Sequence, residues 1–205
     1  GWIDLPLNVS ARLARLIGAK ADEEIVCDSV SVNLFKLAAA ALPLARQRVV
    51  MVEDDEFPTD QYIAEGLRDL GAARMIRIGS GEGETALAEH GGVLIRSVVN
   101  YRTGRIVEVA ALERAARAGG GVIVWDLSHA TGVLALDLAG DFEFVGIVQL
   151  GGRGALGIVE IQRDFGCVAR GALVGAVEDD VVHAGRAHGL RRILAHDPAQ
   201  RLDKV

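Results

Sequence analysis

Short, almost uninterrupted apolar runs alternate along this chain with segments of helical periodicity. The strand candidates are residues 24–27, 48–52, 74–78, 92–99, 121–125, 142–148 and 157–161, and the helical patterns are residues 10–17, 32–45, 61–71 and 107–121. Continuous apolar runs suit strands that are covered on both faces. The alternation predicts an α/β fold, a doubly wound and mostly parallel sheet with helices on both faces. Ligands of such folds bind beyond the carboxyl ends of the strands.

Local signals add detail to this pattern. Ser10 is a plausible cap for the first helix, and Gly71 is well suited to end the third. The stretch GSGEGET (79–85) is predicted to be a turn-rich loop, and it lacks the Gly-Lys-Ser/Thr of a phosphate-binding P-loop.

Composition excludes several classes of protein. A chain of 205 residues with 50% hydrophobic residues can bury the core of one domain. Its net charge of -6 argues against a nucleic-acid surface. No apolar run approaches the roughly 20 residues that span a bilayer, since residues 37–45 are interrupted by Pro43. The presence of only Cys27 and Cys167 favours a reducing cytoplasm over a disulfide framework.

The stretch VIVWDLSHATG (122–132) carries the most suggestive chemistry. A buried-looking strand ends on Asp126, and His129 follows about one helical turn later. Asp126 could cap a following helix together with Ser128. It could equally face a cationic ring nitrogen at the carboxyl edge of the sheet, because a desolvated carboxylate needs a positive partner.

Three further stretches converge on the same edge, and the first two have a structural alternative. In CDSVSVN (27–33), Ser29, Ser31 and free backbone N–H groups could bind an anion or could simply cap a helix. In FPTDQYIAEGL (57–67), Phe57 could lie over a planar ring and Asp60 could accept a hydrogen bond, or Thr59 or Asp60 could cap the helix. The stretch RSVVNYRTGR (96–105) places Ser97, Asn100, Tyr101 and Arg102 just past another strand.

Taken together, GWIDLPL, DSVSVNLFKLAAAAL, FPTDQYIAEGL, VNYRTGR and WDLSHATG occur in one order and at one spacing that resembles the kynureninase family. The resemblance covers residues 1 to about 145 and continues more weakly through GGRGALG (151–157). It implies a pyridoxal-phosphate (PLP) enzyme of the aspartate-aminotransferase fold, related to class V aminotransferases. Such enzymes hydrolyse L-kynurenine or 3-hydroxykynurenine to anthranilate or 3-hydroxyanthranilate and L-alanine. The resemblance further implies a cytoplasmic homodimer in tryptophan catabolism, on the kynurenine pathway that leads to NAD biosynthesis.

The resemblance also implies a role for each matching residue at a cofactor site. Val30 and Ser31 would hold the phosphate, Phe57 would stack on the pyridine ring, and Asp126 would pair with the pyridine nitrogen. The remaining cofactor contacts that it implies are Pro58, Thr59, Asp60, Ser97 and His129.

One segment departs from the family pattern. The family carries a Tyr-Lys-Tyr-Leu-Asn segment whose lysine binds the cofactor covalently, whereas only IVQL stands here between Gly146 and Gly151. The sequence has no lysine between Lys36 and Lys204. The family's N-terminal segment and its small domain, with the Arg that grips the substrate carboxylate, are also unmatched. We therefore expect a truncated or degenerate kynureninase-derived chain, with poor or no hydrolase activity and no covalent cofactor. The expected organisation is a partial large domain over residues 1–161 and a helical tail over 162–205.

Other functions are compatible with parts of the sequence. A lysine-less chain could be a non-catalytic protein that binds PLP noncovalently or acts as a dimerisation partner. Gly152, Gly154 and Gly157 form a G-x-G-x-x-G pattern, but a dinucleotide site needs a helix next and IVEIQRDFG is β-like. The tail histidines His183, His188 and His196 do not share one helical face, so no metal site is predicted.

Overall fold

The computed structural model describes Gly1 and residues 5–19, 24–138, 142, 146–150 and 156–160. Within these ranges the helices are α1 (Leu5–Ile17), α2 (Val30–Ala41), α3 (Pro58–Asp69), α4 (Gly83–His90) and α5 (Val109–Gly119). The strands are β1 (Glu24–Cys27), β2 (Val49–Glu53), β3 (Arg74–Ile78), β4 (Val93–Ser97), β5 (Val122–Asp126), β6 (Gly146–Leu150) and β7 (Leu156–Glu160). None of the helices in the described ranges has the length and apolar content of a membrane span.

The strands form one seven-stranded sheet in the order β1-β7-β6-β5-β4-β2-β3. The strands β2 to β6 pair in parallel. Strand β7 runs antiparallel to both of its neighbours, so β1 again points in the direction of the central strands. The predicted α/β fold with a mostly parallel sheet is confirmed.

Helices cover both faces of this sheet. Helix α2 packs along β4 to β7 and against α3, whereas α4 and α5 contact each other and the strands β2, β4 and β5. Right-handed parallel crossovers place the two pairs on opposite faces, because the chain reverses its direction of travel across the sheet after β3. Every residue of β2, β4 and β5 is buried, as expected for central strands covered on both sides.

Helix α4 was not predicted from the sequence, and the interpretation of residues 79–85 as a loop was wrong from Gly83 onward. The apolar periodicity of α4 is weak, because the helix is short and only Gly83, Ala86 and Leu87 are buried in it. The helix is held by tertiary contact with α5, where a Cβ added to Gly119 would lie 2.2 Å from the carbonyl oxygen of Leu87. Such a close approach of two backbones needs glycine.

Other boundaries differ from the prediction in smaller ways. Helix α2 ends at Ala41, because Pro43 cannot continue a helix, and the chain turns through hydrogen bonds to the Ala41 carbonyl. Helix α5 is two residues shorter at each end than predicted. Strand β6 spans Gly146–Leu150, and residues 143–145 of the predicted range 142–148 lie outside the described residues. Gly71 follows α3 with a φ of 71°, as predicted for a helix-ending glycine.

Ser10 does not cap α1, because α1 begins at Leu5 and Ser10 lies inside it. The buried Ser10 Oγ instead accepts a hydrogen bond of 3.1 Å from the backbone N–H of Val26. Strand β1 lies at one edge of the sheet, so this bond satisfies an edge donor that lacks a partner strand.

Candidate functional site

The carboxyl ends of β1, β2, β4 and β5 lie along one edge of the sheet, because these strands point in the same direction. Helix α2 begins just after β1, and helix α3 begins just after β2. The predicted site residues of these segments therefore belong to one edge, where open α/β sheets bind their ligands.

Asp126 ends β5 with a side chain that is only 2% exposed. Its Oδ1 accepts hydrogen bonds from the backbone N–H of Ser128, at 2.7 Å, and from the Ser128 hydroxyl. No helix follows, since residues 128–130 form a turn, so the helix-capping interpretation of Asp126 was wrong. Burial raises the pKa of Asp126, against the opposing effect of the two Ser128 hydrogen bonds.

Asp60, in the first turn of α3, is only 1% exposed and lies against Asp126. Burial, the charges of Asp126 and Glu56 and a hydrogen bond with Asp126 raise the pKa of Asp60 from 3.8 to about 9. The two aspartates therefore share one proton at neutral pH, as closely spaced carboxyls do. The capping interpretation of Thr59 and Asp60 was wrong, because Phe57 occupies the N-cap position and no side chain caps α3.

Ser97 Oγ and Asp60 Oδ2 are among the buried polar atoms that have no hydrogen-bond partner within the described residues. Ser97 ends β4 and lies directly opposite Asp126 in the β4–β5 register. A buried polar atom without a partner costs about 1–3 kcal/mol, so such atoms are expected where a polar ligand group binds. Their position next to the aspartate pair suits a ring nitrogen and its substituents.

The charges at this edge are mostly negative. The carboxyl groups of Glu53, Glu56, Asp60 and Asp126 are buried together with one guanidinium, that of Arg96. A cationic group entering this edge would reduce the excess of negative charge.

Three aromatic rings from separate segments meet beside the aspartates. The ring of Phe57 lies 5.1 Å from that of Tyr101 and 5.6 Å from that of His129, measured between centroids, and Tyr101 and His129 are 6.4 Å apart. Phe57 and Tyr101 are half-buried and His129 is exposed, so this ring cluster borders solvent. Sequence reasoning noted Tyr101 past β4 but did not assign it to the site, because only the fold brings it to Phe57.

The start of α2 forms the other predicted part of the site. Ser29 is the N-cap of α2, and its Oγ accepts a weak hydrogen bond of 3.5 Å from Val32 N–H. The backbone N–H groups of Val30 and Ser31, in the first turn, have no partner within the helix. Lys36, in the same helix, forms an ion pair with Asp28, which precedes the helix.

The remaining predicted contacts are peripheral. Pro58 is the first residue of α3 and is exposed, and Thr59 is half-buried beside it. The structure thus brings Asp60, Ser97 and Asp126 together, joins Phe57 with His129, and leaves Val30 and Ser31 at the neighbouring helix start.

The alternative sites are not supported within the described residues. Gly157 lies in strand β7, so the G-x-G-x-x-G pattern leads into a strand and not into the helix that a dinucleotide site needs. The described ranges contain no group of histidine, cysteine and acidic residues that could hold a metal ion. The tail histidines lie outside the described residues.

Comparison with curated proteins identifies the family. The chain is 46% identical over 140 residues to the kynureninase of Deinococcus radiodurans, a match that covers 68% of this chain and 34% of that protein. It is 38% identical over 146 residues to the kynureninase of Pseudomonas fluorescens, covering 67% of this chain and 35% of that protein. The chain is a homologue of the kynureninases. It spans about a third of the length of these relatives.

Solved structures give the fold of this kynureninase homologue. A mutant of the C-DES protein with glycine covalently linked to its PLP cofactor superposes with a TM-score of 0.66 at 17% identity, covering 80% of this chain and 47% of that one. The apo cysteine desulfurase of Thermococcus onnurineus gives a TM-score of 0.65 at 19% identity, covering 78% and 44%. The fold is that of the PLP-dependent transferases. No family model matches the chain.

Proposed function

We propose that this chain binds pyridoxal phosphate at the carboxyl edge of its sheet, as a kynureninase-like protein. The observation that carries the proposal is the buried pair of Asp60 and Asp126, which lies beside the unpartnered Ser97 Oγ and the ring cluster. When bound, the cofactor supplies a cationic pyridine ring that acts as an electron sink.

The residues of the edge suit such a ring. Asp126 would pair as a carboxylate with the protonated ring nitrogen, and Asp60 would keep its own proton and donate it to Asp126. Ser97 Oγ would gain the hydrogen-bond partner that it lacks within the described residues. Because the carboxyls already lie in a desolvated setting, their attraction for a cation is stronger than it would be in water.

The rings and the helix start would hold the rest of the cofactor. Phe57 and His129 would lie beside the pyridine ring, with Pro58 and Thr59 in the same turn as Phe57. The free N–H groups of Val30 and Ser31 would bind the phosphate, since a helix N-terminus favours an anion.

Binding in this chain is proposed to be noncovalent. The residues that stand in place of the family's lysine segment are Ile147 to Leu150, and they lie in β6, paired with β7. The sequence between Lys36 and Lys204 contains no lysine, and Lys36 is paired with Asp28. Without an amine at the cofactor, the base that moves the proton at the substrate Cα is missing. Hydrolysis of kynurenine or 3-hydroxykynurenine by this chain is therefore proposed to be slow or absent.

Several broader features belong to the same proposal. The family resemblance supports a homodimer in the cytoplasm, a small-molecule ligand of the kynurenine type and an origin in tryptophan catabolism. A protein of this kind would act as a noncovalent PLP binder or as a dimerisation partner. The division into a partial large domain over residues 1–161 and a separate tail also remains a proposal, because residues 161–205 lie outside the described ranges.

Titration of the full chain with PLP tests the proposal, with equilibrium dialysis and cofactor absorbance as the readouts. We expect saturable binding that is weakened at least about 10-fold in Asp126→Asn, which keeps an oxygen for Ser128 but removes the charge. Asp69→Asn, at an exposed position in α3, is the matched control and should bind as the unaltered chain does. If the unaltered chain shows no saturable binding, or if Asp126→Asn binds equally well, the proposal is wrong.

A further inference from the structure

Arg96 is an unusual residue for the middle of a buried strand. It lies in β4, every residue of which is buried, and its side chain is only 1% exposed. Burying a guanidinium is costly unless carboxylates pair with it. Its Nη1 lies 2.9 Å from Glu56 Oε2 and 3.1 Å from Glu53 Oε2, so the charge is compensated from the end of β2 and the turn that follows it.

Glu56 connects Arg96 to the candidate site, because both of its carboxylate oxygens accept hydrogen bonds from backbone N–H groups there. Its Oε1 accepts a hydrogen bond of 3.0 Å from the backbone N–H of Phe57, which starts α3. Its Oε2 accepts a hydrogen bond of 2.9 Å from the backbone N–H of Ser97, which ends β4. A single carboxylate thus joins two segments whose side chains form the candidate cofactor site.

We propose that Arg96 and Glu56 are positioning residues of this site: their buried ion pair holds the start of α3 against the end of β4. Phe57 and Ser97 are thereby kept in place, and the β4–β5 register extends the connection from Ser97 to Asp126. The effect of Arg96 and Glu56 on cofactor binding rests on the function proposed above. Among the described residues, neither side chain forms a hydrogen bond with the rings or with the aspartate carboxyls, and Glu56 reaches the site through the backbone N–H groups of Phe57 and Ser97.

The charge of Glu56 has a second effect on the same site. It raises the pKa of both Asp60 and Asp126, so it favours the state in which the pair retains a proton. Replacing Glu56 by glutamine removes that effect while preserving the size of the side chain.

Amide hydrogen exchange of the cofactor-free full chain, followed residue by residue by NMR, provides the test. In Arg96→Met, exchange at Phe57 and Ser97 should accelerate at least about 10-fold more than exchange in α1, which packs against β1 at the far edge of the sheet. Arg96→Lys, which keeps the charge, should restore part of the protection. Arg77→Met is the matched control, because Arg77 lies in β3, on the other side of β2 from Arg96, and pairs with Glu65 at the surface.

Uniform acceleration across the chain, or unchanged exchange at Phe57 and Ser97, would overturn the positioning role. If Arg96→Met does not fold, Glu56→Gln is measured in the same way against the same two outcomes. The exchange test needs no cofactor, so it decides the inference even where the unaltered chain fails to bind PLP. Where PLP does bind, Arg96→Met should weaken it at least about 10-fold while Arg77→Met leaves it unchanged.

Discussion

Asp60 and Asp126 lie side by side in the interior, although one is in the first turn of a helix and the other ends a strand. Two carboxylates in a desolvated space repel each other, so the folded chain retains a proton there that the unfolded chain releases. This arrangement has a cost in stability near neutral pH, and a bound cation would remove much of that cost.

The first prediction concerns the pH dependence of stability. The pKa of Asp60 rises from 3.8 to about 9 on folding, so between these values the unfolded state binds fewer protons and stability falls as pH rises. Asp60→Asn keeps a neutral donor toward Asp126, and it should flatten this fall and stabilise the chain at pH 8 by at least about 1 kcal/mol.

Urea unfolding from pH 5 to 9, followed by circular dichroism, measures this effect. Asp69→Asn is the control, because Arg68 lowers the pKa of Asp69, so Asp69 is ionised in both states throughout this range. Parallel curves for Asp60→Asn and the unaltered chain would contradict the shared-proton description.

A second prediction separates the two residues of the WDLSH stretch. Asp126→Ala should weaken PLP binding more than His129→Ala, because only Asp126 supplies the charge that a ring nitrogen needs. His129 is exposed and contributes a ring contact with Phe57, so we expect a loss of about 2–5-fold on its removal. Equilibrium dialysis measures the PLP dissociation constants of the two variants. Equal losses of affinity would count against the assigned roles.

The third prediction addresses covalent attachment. Incubation with PLP followed by borohydride reduction should leave no stoichiometric adduct, because the residues in place of the family's lysine segment contain no amine. Mass spectrometry of the digested chain is the readout, and an active kynureninase treated in parallel is the positive control. A stoichiometric adduct on any lysine, Lys36 included, would show that the binding is covalent.

The fourth prediction concerns Glu113, a buried residue of α5 whose Oε1 accepts a 2.7 Å hydrogen bond from Trp125 Nε1. Burial raises the pKa of Glu113 from 4.5 to about 7, despite opposing effects of Trp125 and Arg117. Stability from this group is therefore present at acid pH and lost as pH rises from 4.5 to 7, by up to about 3 kcal/mol.

Glu113→Gln retains the acceptor for Trp125 and should be more stable than the unaltered chain at pH 8, with no gain at pH 4. Glu113→Ala should be less stable at both pH values, because the Trp125 N–H is left unpaired. Thermal unfolding at the two pH values distinguishes these outcomes, and a gain of equal size at both would refute the electrostatic explanation.

The fifth prediction tests the contact between α4 and α5. Gly119→Ala places a Cβ 2.2 Å from the carbonyl oxygen of Leu87, so backbone must move, and a loss of about 2–4 kcal/mol is expected. Gly66→Ala is the matched control, because no atom lies within 4 Å of the added Cβ. That change in the interior of α3 should stabilise by about 0.5–1 kcal/mol. Denaturant midpoints measure both, and equal effects would refute the close approach.

Sequence patterns predicted the central strands well because β2, β4 and β5 are buried on both faces, which requires continuous apolar runs. They failed at α4, whose helical state depends on packing against α5 and not on its own periodicity. Asp126, Asp60 and Phe57 were recognised through motifs, yet their mutual contacts could not be read from the chain. Tyr101 and Arg96 were missed as site residues, because their relevance comes only from neighbours distant in sequence.

The sequence by itself determined the order of the strands and of four of the five described helices, the family relationship and the absence of lysine between Lys36 and Lys204. These properties are local, since they follow from side-chain type and spacing along one chain. Only the tertiary structure decided that Asp60 shares a proton with Asp126, that Phe57 meets Tyr101 and His129, and that Glu56 joins α3 to β4. Electrostatic coupling and hydrogen bonding depend on distance in space and on the exclusion of water, and both exist only once the sheet has assembled.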